Sequence, residues 1–239
     1  MLLGWIELLL LTLLLYPLSF IPMNPSIRKW YTKAFRLWSK AWVDALGVDL
    51  RLHQHFQKPL PEQYILIANH PSAFEDIGIP SLFPVHSLAK IEVKNWPVVG
   101  RISAASGTLY VNRESRQSRQ QASATMLQAL QQGKNIALYP EGGIKGKRLY
   151  DHFRYGAFDL SLKSGIPILP VFLHYEAQDD FYWGSETLPQ KIRDFMLSNN
   201  NRVNYHLYDP FYPDDFSDKE SYCQTVYEQF LIWQEKHLE

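Results

Sequence analysis

YILIANHPSAFEDIGIP, residues 64–80, decides the architecture. Its first five residues form an apolar run broken at Asn69. A short run of this kind, rich in isoleucine, reads as a strand buried on both faces, as in a parallel sheet. His70 stands just beyond the strand's exit, and Glu75 and Asp76 follow five and six positions later. A lone histidine is usually a surface residue or a satisfied core residue. An imidazole held through one nitrogen by a carboxylate can instead take a proton from a hydroxyl through the other. That arrangement suits attack of an alcohol on an acyl carbonyl.

Working outward, HSLAK (86–90) reads as a short strand, and GTLYVNR carries another at about 108–112. Ala122, Met126, Leu127 and Leu130 recur at helical spacing within 114–132, and Gly133 closes that helix. NIALYPEGG is a strand over 135–139 that stops at Pro140. RYGAFDLSLKSG reads as a helix closed by Gly165, IPILPVFLHY as a further buried strand and RVNYHLYDPF as an alternating late strand. Ser217 and Glu220 suggest a capping box for a final helix over roughly 218–237. Strands alternating with helices predict a single α/β domain whose mixed, mainly parallel sheet is flanked by helices. In such folds chemistry collects beyond strand C-termini, where His70, residues 107–113 and the PEGG turn all fall.

The 239 residues are 46% hydrophobic, enough for one substantial core. Lys plus Arg equals Asp plus Glu at 24 each, so no net field recruits nucleic acid. The single cysteine, Cys223, leaves no internal disulfide or zinc–cysteine cluster and fits a reducing compartment.

Residues 2–23 carry one charge, Glu7. As one helix they would reach about 33 Å, against a hydrocarbon core of roughly 30 Å. Pro17 and Pro22 shorten the clean part, Leu2 to Tyr16, to about 22 Å. Within 27–46, Lys29, Lys33, Arg36 and Lys40 share one helical face. Ile27, Trp30, Ala34, Trp38, Ala41 and Ala45 line another, edged by Tyr31, Phe35 and Trp42. The expectation is a membrane-anchoring helical pair over 1–46, lying in the headgroup region, with a true span as second choice. A catalytic domain follows over 47–239. The cations after the apolar stretch place that domain in the cytoplasm, at the inner membrane if the source is bacterial.

Arg113 closes a short strand and can clamp a phosphate in bidentate fashion, although alone it reads equally as surface charge. Glu141 precedes two glycines, and Lys145, Lys147 and Arg148 follow as cations that bind phosphate or stay in water. GGIKGKR is not a P-loop, and no serine occupies a G-x-S-x-G turn. The acceptor itself would then be the nucleophile. HQH at 53–55 resembles a metal-ligand pair, but alternation supplies no third ligand, and no metal is expected. His152 and His174 have no assignable partner.

NHPS (69–72), GTLYVNR (107–113), YPEGG (139–143) and GIPILPV (165–171) occur in that order. With LAK…WPVVGRI (88–102) and FRYGAFDLSLKSG (153–165), they make residues 40–175 resemble the glycerolipid acyltransferase family, typified by bacterial 1-acylglycerol-3-phosphate acyltransferases. The resemblance implies that His70 is the general base and that a carboxylate orients it. Gly107 and Arg113 would help bind the acceptor phosphate, and Glu141 and Gly142 would shape the same pocket. Pro167 to Pro170 would support the acyl-donor side. Asn69 and Ser72 would join the substrate-binding set, together with Lys145, Lys147 and Arg148.

The implied reaction is membrane-associated transfer of a fatty acyl group from acyl-CoA or acyl-ACP, a co-substrate, to a lysophospholipid hydroxyl. The first choice of acceptor is 1-acylglycerol-3-phosphate, giving phosphatidic acid. No cofactor is implied; the partners are membrane phospholipids, the lyso-lipid and the acyl carrier. Two departures matter. The family's N-H-x-x-x-x-D has Glu75 at its acidic position, with Asp76 one later; Ile77 after Asp76 matches the family and favours Asp76. PEGGI replaces P-E-G-T-R or P-E-G-T-S, which leaves the acceptor open to another lyso-lipid. The alternatives are a non-catalytic lipid-binding module and a hydrolase that uses the same histidine on water.

Overall fold

The computed structural model describes residues 1–144, 146, 148–184 and 186–238. Two helices, α1 (Leu2–Leu18) and α2 (Pro25–Ala45), precede strands β1 (Asp49–Gln54) and β2 (Ile65–Ala68). Then come α3 (Glu75–Leu82), β3 (Val85–Lys90), a 3-10 turn at Ile91–Asn95, α4 (Val99–Ser106) and β4 (Leu109–Val111). They are followed by α5 (Arg116–Gln131), β5 (Asn135–Leu138), α6 (Gly156–Ser164) and β6 (Ile168–Tyr175). The chain closes with α7 (Gln178–Phe181), α8 (Leu188–Leu197), β7 (Arg202–Leu207) and α9 (Lys219–Leu238).

Among the described residues seven strands form one sheet in the order β1-β7-β6-β2-β5-β3-β4. Every pairing is parallel except β6 with β7, so the sheet is mixed and mainly parallel, as expected. The unbroken apolar character of β2 follows from its central position. Leu66 and Ala68 pack on one face with Val43, Leu46, Phe74 and Phe195, whereas Ile65 and Ile67 pack on the other with Met126, Phe158 and Phe230. Full burial of these four residues is what excludes polar alternation from the strand.

Local signals end the helices as anticipated at Gly133 (φ +75°) and Gly165 (φ +69°). The last helix is capped differently from expectation. Asp218, not Ser217, accepts the Ser221 N–H, at 2.7 Å, and the Ser217 hydroxyl donates to the Asp218 carboxylate instead. Asp218 directly precedes the first helical residue, Lys219, and so holds the N-cap position.

The N-terminal pair also differs from expectation. Most of the tryptophan-bearing face of α2 is turned inward: Tyr31, Ala34, Phe35, Trp38, Ala41 and Ala45 are buried against α1 and α4, whereas Ile27 and Trp30 stay exposed. Trp38 donates its indole N–H to the Thr12 hydroxyl at 2.9 Å, and Tyr31 donates to the Leu15 carbonyl at 3.0 Å. Gly4 permits this approach, since a Cβ there would meet the Asp44 and Ala45 backbone at 2.6 Å. Val43 and Leu46 continue into the sheet's own core, so residue 46 does not separate two packing units. Most of the pair's exposed apolar surface belongs to α1, through Leu2, Leu3, Ile6, Leu9, Leu10 and Leu13, and Phe20, Ile21, Ile27, Trp30 and Leu37 add to it. No helix is long and apolar enough to cross a membrane among the described residues.

Candidate functional site

Parallel pairing brings four strand ends together. Residues at or just beyond the C-terminal ends of β2, β3, β4 and β5 line one cavity of about 1350 Å3, through His70, Lys90, Arg113 and Tyr139. Asp76, Glu92, Glu114, Gly142, Arg154, Trp183 and Glu186 also line it.

His70 is held from three sides. Its ring stacks on Tyr139, with centroids 4.2 Å apart and planes 10° from parallel. Its backbone N–H donates to Glu141 Oε1 at 2.6 Å, while Glu141 Oε2 accepts from the Tyr150 N–H at 2.9 Å. Glu141 is therefore a buried tie between the His70 loop and the PEGG segment rather than a wall of the cavity. The third side is Glu75, whose Oε2 lies 3.6 Å from His70 Nδ1. Its Oε1 accepts from the Ser72 N–H at 2.8 Å, and the Ser72 hydroxyl accepts from the Phe74 N–H at 3.1 Å. These bonds wind the first turn of α3 so that Glu75 points beneath the histidine.

The sequence reading favours Asp76, but Glu75 is the acid within ion-pair distance of His70 Nδ1, and it is fully buried. Consecutive residues at a helix start point about 100° apart, so the two acids meet the ring from different directions, and the Asp76 charge also acts on His70. Asp76 faces the cavity and is reached by solvent, although the surrounding protein still raises its carboxyl pKa. Burial pushes the Glu75 carboxyl up to about 8 and holds the His70 imidazole down to about 4. Both groups thus prefer neutrality over much of the accessible pH range.

Arg113 donates to the Gly142 carbonyl at 2.5 Å, and burial lowers its pKa. Gly142 itself sits at φ +78°, and a Cβ there would run into the Arg154 side chain. The glycine therefore lets a second guanidinium approach the cavity wall. The sequence reading passed over Arg154, Lys90 and Tyr139. Tyr139 was legible as the residue before the PEGG turn, one position past β5. Arg154 carried no local signal.

Other expected residues occupy structural positions. Asn69 exchanges two hydrogen bonds with the Leu173 backbone, at 2.7 and 2.9 Å, locking the exit of β2 to β6. Gly107 ends α4 at φ +98°, where a Cβ would meet the His86 ring at 2.9 Å. Pro167 and Pro170 are buried in the sheet: Pro167 accepts from the Ile65 N–H, and Pro170 pairs with Ile67. None of these residues lines the cavity, because each is consumed in joining sheet elements, and Arg148 does not line it either. Lys145 and Lys147 lie outside the described residues.

From the cavity an apolar groove continues between α2 and α8. It shares Ala73, Asp76, Trp96, Trp183 and Leu188 with the cavity and runs on past Phe35, Trp38, Ile77, Ile192 and Phe195. The polar end of this combined space holds an imidazole and guanidinium groups, and the far end is mainly hydrocarbon and aromatic surface, with Ser87, Ser103 and Thr108 among its lining.

The expectation that HQH lacks a third ring is overturned. β7 and α9 bring His206 and His237 to His55, with one nitrogen or other ligand-capable atom of each within 4.8 Å of the others. The alternation of RVNYHLY placed His206 on a strand face, but nothing in the sequence showed that β1 and β7 would be neighbours.

A family model described as Acyltransferase matches residues 50–174. The chain is 29% identical to the 1-acyl-sn-glycerol-3-phosphate acyltransferase of Neisseria gonorrhoeae, over 57% of this chain and 53% of that protein. It is 26% identical to the lyso-ornithine lipid O-acyltransferase of Pseudomonas aeruginosa, over 71% of this chain and 67% of that protein. The chain spans about half the length of the first of these relatives and of its Neisseria meningitidis counterpart. In fold it is similar to the crystal structure of the 1-acyl-sn-glycerophosphate acyltransferase PlsC from Thermotoga maritima. The TM-score is 0.66 at 21% identity, covering 98% of this chain and 97% of that one.

Proposed function

Because the chain belongs to the acyltransferase family, we propose that it transfers a fatty acyl group from an acyl thioester to the hydroxyl of a lyso-lipid, with His70 as general base. The observation that carries this reading is the continuity of the His70 cavity with the apolar groove. A polar headgroup and an acyl chain need those two environments side by side.

In the proposed reaction Glu75 accepts from Nδ1–H of His70, the tautomer that leaves Nε2 bare toward the cavity. Nε2 takes the acceptor's hydroxyl proton as the oxygen attacks the thioester carbonyl. The tetrahedral intermediate then collapses, its C–S bond breaks, and the departing thiolate takes the proton from the imidazolium. No acyl-enzyme forms. Tyr139, stacked beneath the ring, fixes its plane throughout. The donor is acyl-CoA or acyl-ACP, two carriers that present the same thioester.

For the acceptor, Arg113 and Arg154 with Lys90 supply cations at the cavity wall suited to the phosphate of 1-acylglycerol-3-phosphate. A second reading has a specific observation in its favour. Glu92, Glu114 and Glu186 line the same cavity, an acidic complement that a phosphomonoester does not need but an amino-bearing headgroup does. The lyso-ornithine lipid relatives fit that chemistry. Binding to the membrane would use the exposed leucine face of α1 beside the exposed Arg28, Lys29 and Lys33 of α2, lying in the interface. The cytoplasmic side remains the proposed location of the domain.

The test is product mass. Purified protein is offered lyso-lipid acceptors with and without phosphate, with coenzyme A or carrier-protein thioesters. An acceptor heavier by one acyl group supports the reading. Free fatty acid alone makes the protein a hydrolase, and the absence of either product with every donor leaves lipid binding without catalysis.

A further inference from the structure

We propose that His55, His206 and His237 form a binding site for a zinc-class divalent transition-metal ion that ties the C-terminal helix to the β1 edge of the sheet. The proposal is independent of the acyltransferase reading, since none of the three lines the His70 cavity.

The site follows from register. β1 and β7 pair in parallel with His53 opposite His206, and His55 N–H continues the ladder by donating to the Leu207 carbonyl at 2.8 Å. Two residues apart, His53 and His55 project from the same side, and their rings are 19° from parallel. The last turn of α9 crosses that side and lays His237 over His206, with centroids 3.7 Å apart. Three elements distant in sequence thus each contribute one imidazole.

The distances suit a small cation. His55 Nε2 and His206 Nδ1 are 3.0 Å apart, and one ligand-capable atom from each of the three rings lies within 4.8 Å of the others. In a tetrahedral zinc site with bonds of about 2.0–2.1 Å, neighbouring nitrogens stand about 3.3 Å apart, so the spacing is near that of a site, and the stacked rings would have to rotate for their lone pairs to converge on the ion. The contact between His55 and His206 holds one proton between two nitrogens, and a metal ion would take that proton's place. Imidazole sets of this kind select zinc, copper or nickel over calcium or magnesium.

The surroundings also favour ligation. Tyr208 stacks on His55 and lies 2.6 Å from His237 Nε2 through its hydroxyl oxygen. His53 stacks on His206 and is itself fixed by Asn204 at 2.9 Å. These contacts orient the ligating rings as outer hydrogen-bond partners do in metal proteins.

The experiment uses the full-length chain without a histidine tag, stripped with EDTA and dialysed, then titrated with ZnCl2 by calorimetry. Unfolding midpoints are recorded with and without zinc. One zinc per chain and a raised midpoint are expected. His55→Asn and His237→Asn, at exposed and half-buried positions, should each weaken binding by at least about 10-fold and abolish the midpoint shift. His152→Asn, which alters an exposed histidine elsewhere, should change neither. Circular dichroism in EDTA establishes that the variants are folded. Cobalt provides a second readout, with a tetrahedral ligand-field band present in the parent and lost in the His55→Asn/His237→Asn double variant. Equal zinc affinity in the parent and the double variant, or no zinc binding by the parent, would overturn the proposal.

Discussion

Nδ1 of His70 lies 3.6 Å from Oε2 of Glu75, and neither atom meets a hydrogen-bond partner among the described residues. The distance is about half an ångström beyond an ordinary N–H···O bond, so a small ring rotation closes it. Two buried polar atoms facing each other are costly unless they pair, and pairing fixes the histidine tautomer. Glu75→Gln can offer an amide N–H to Nδ1 and hold the wrong tautomer. We expect a loss in kcat of at least about 10²-fold. Asp76→Asn should cost less, because its carboxylate faces the cavity. A larger loss for Asp76→Asn than for Glu75→Gln would return the orienting role to Asp76.

The pH dependence should follow Glu75. His70, held near 4, is already neutral across the range in which Glu75 titrates near 8. The reactive pair is a neutral imidazole beside a carboxylate, so kcat/KM should rise with pH through about 8. A profile whose rising limb instead falls near 6.5 would mean that the histidine alone governs activity.

Stability should move the opposite way. The folded-state pKa of Glu75 is raised from its ordinary 4.5 to about 8, so the protonated carboxyl favours folding. Its contribution is full below about 4.5 and is lost as pH climbs through 8. Chemical denaturation at pH 5, 7 and 9 should show the parent losing stability over that window and Glu75→Gln losing much less. Parallel curves for the two proteins would show that Glu75 ionises in the native state at no cost.

Arg154→Ala should raise the acceptor KM and leave kcat nearly unchanged if the guanidinium binds a ground-state phosphate. Arg113→Ala should do the same but also loosen the PEGG turn, because its bond to Gly142 is lost. A pure kcat effect for Arg154→Ala, measured with a phosphate-bearing acceptor, would place the headgroup elsewhere.

Vesicle binding should depend on the exposed leucine face of α1. Removing residues 1–46 would also strip Val43 and Leu46 from the core, so it cannot separate anchoring from folding. Leu9→Asp with Leu13→Asp changes only exposed positions and should release the protein from sedimenting vesicles with its fold intact. Undiminished sedimentation would move the anchor off this face.

Six of the seven strands were legible in order, most clearly β2, β5 and β6, apolar runs bounded by turn residues, while the half-exposed β1 was not placed as a strand. α3 was not legible, since eight residues containing Pro80 resemble a loop. α8 carried a readable signal that went unused: Thr187 and Gln190 form a capping box with Pro189 in the first turn. The inward turn of α2 could not be read, because a tryptophan face looks the same whether α1 or lipid covers it. At the site, His70 and its acids were visible as neighbours in sequence, whereas Arg154 and the histidine cluster depend on which strands and turns meet in space.

The central claim is that His70 moves the proton. The direct measurement is acyl transfer by purified His70→Ala, with its fold verified by circular dichroism, read as the mass of the acylated lyso-lipid under saturating thioester. The account predicts a rate about 10²–10⁴-fold below the parent with acceptor binding retained. Transfer at the parent's rate would contradict it.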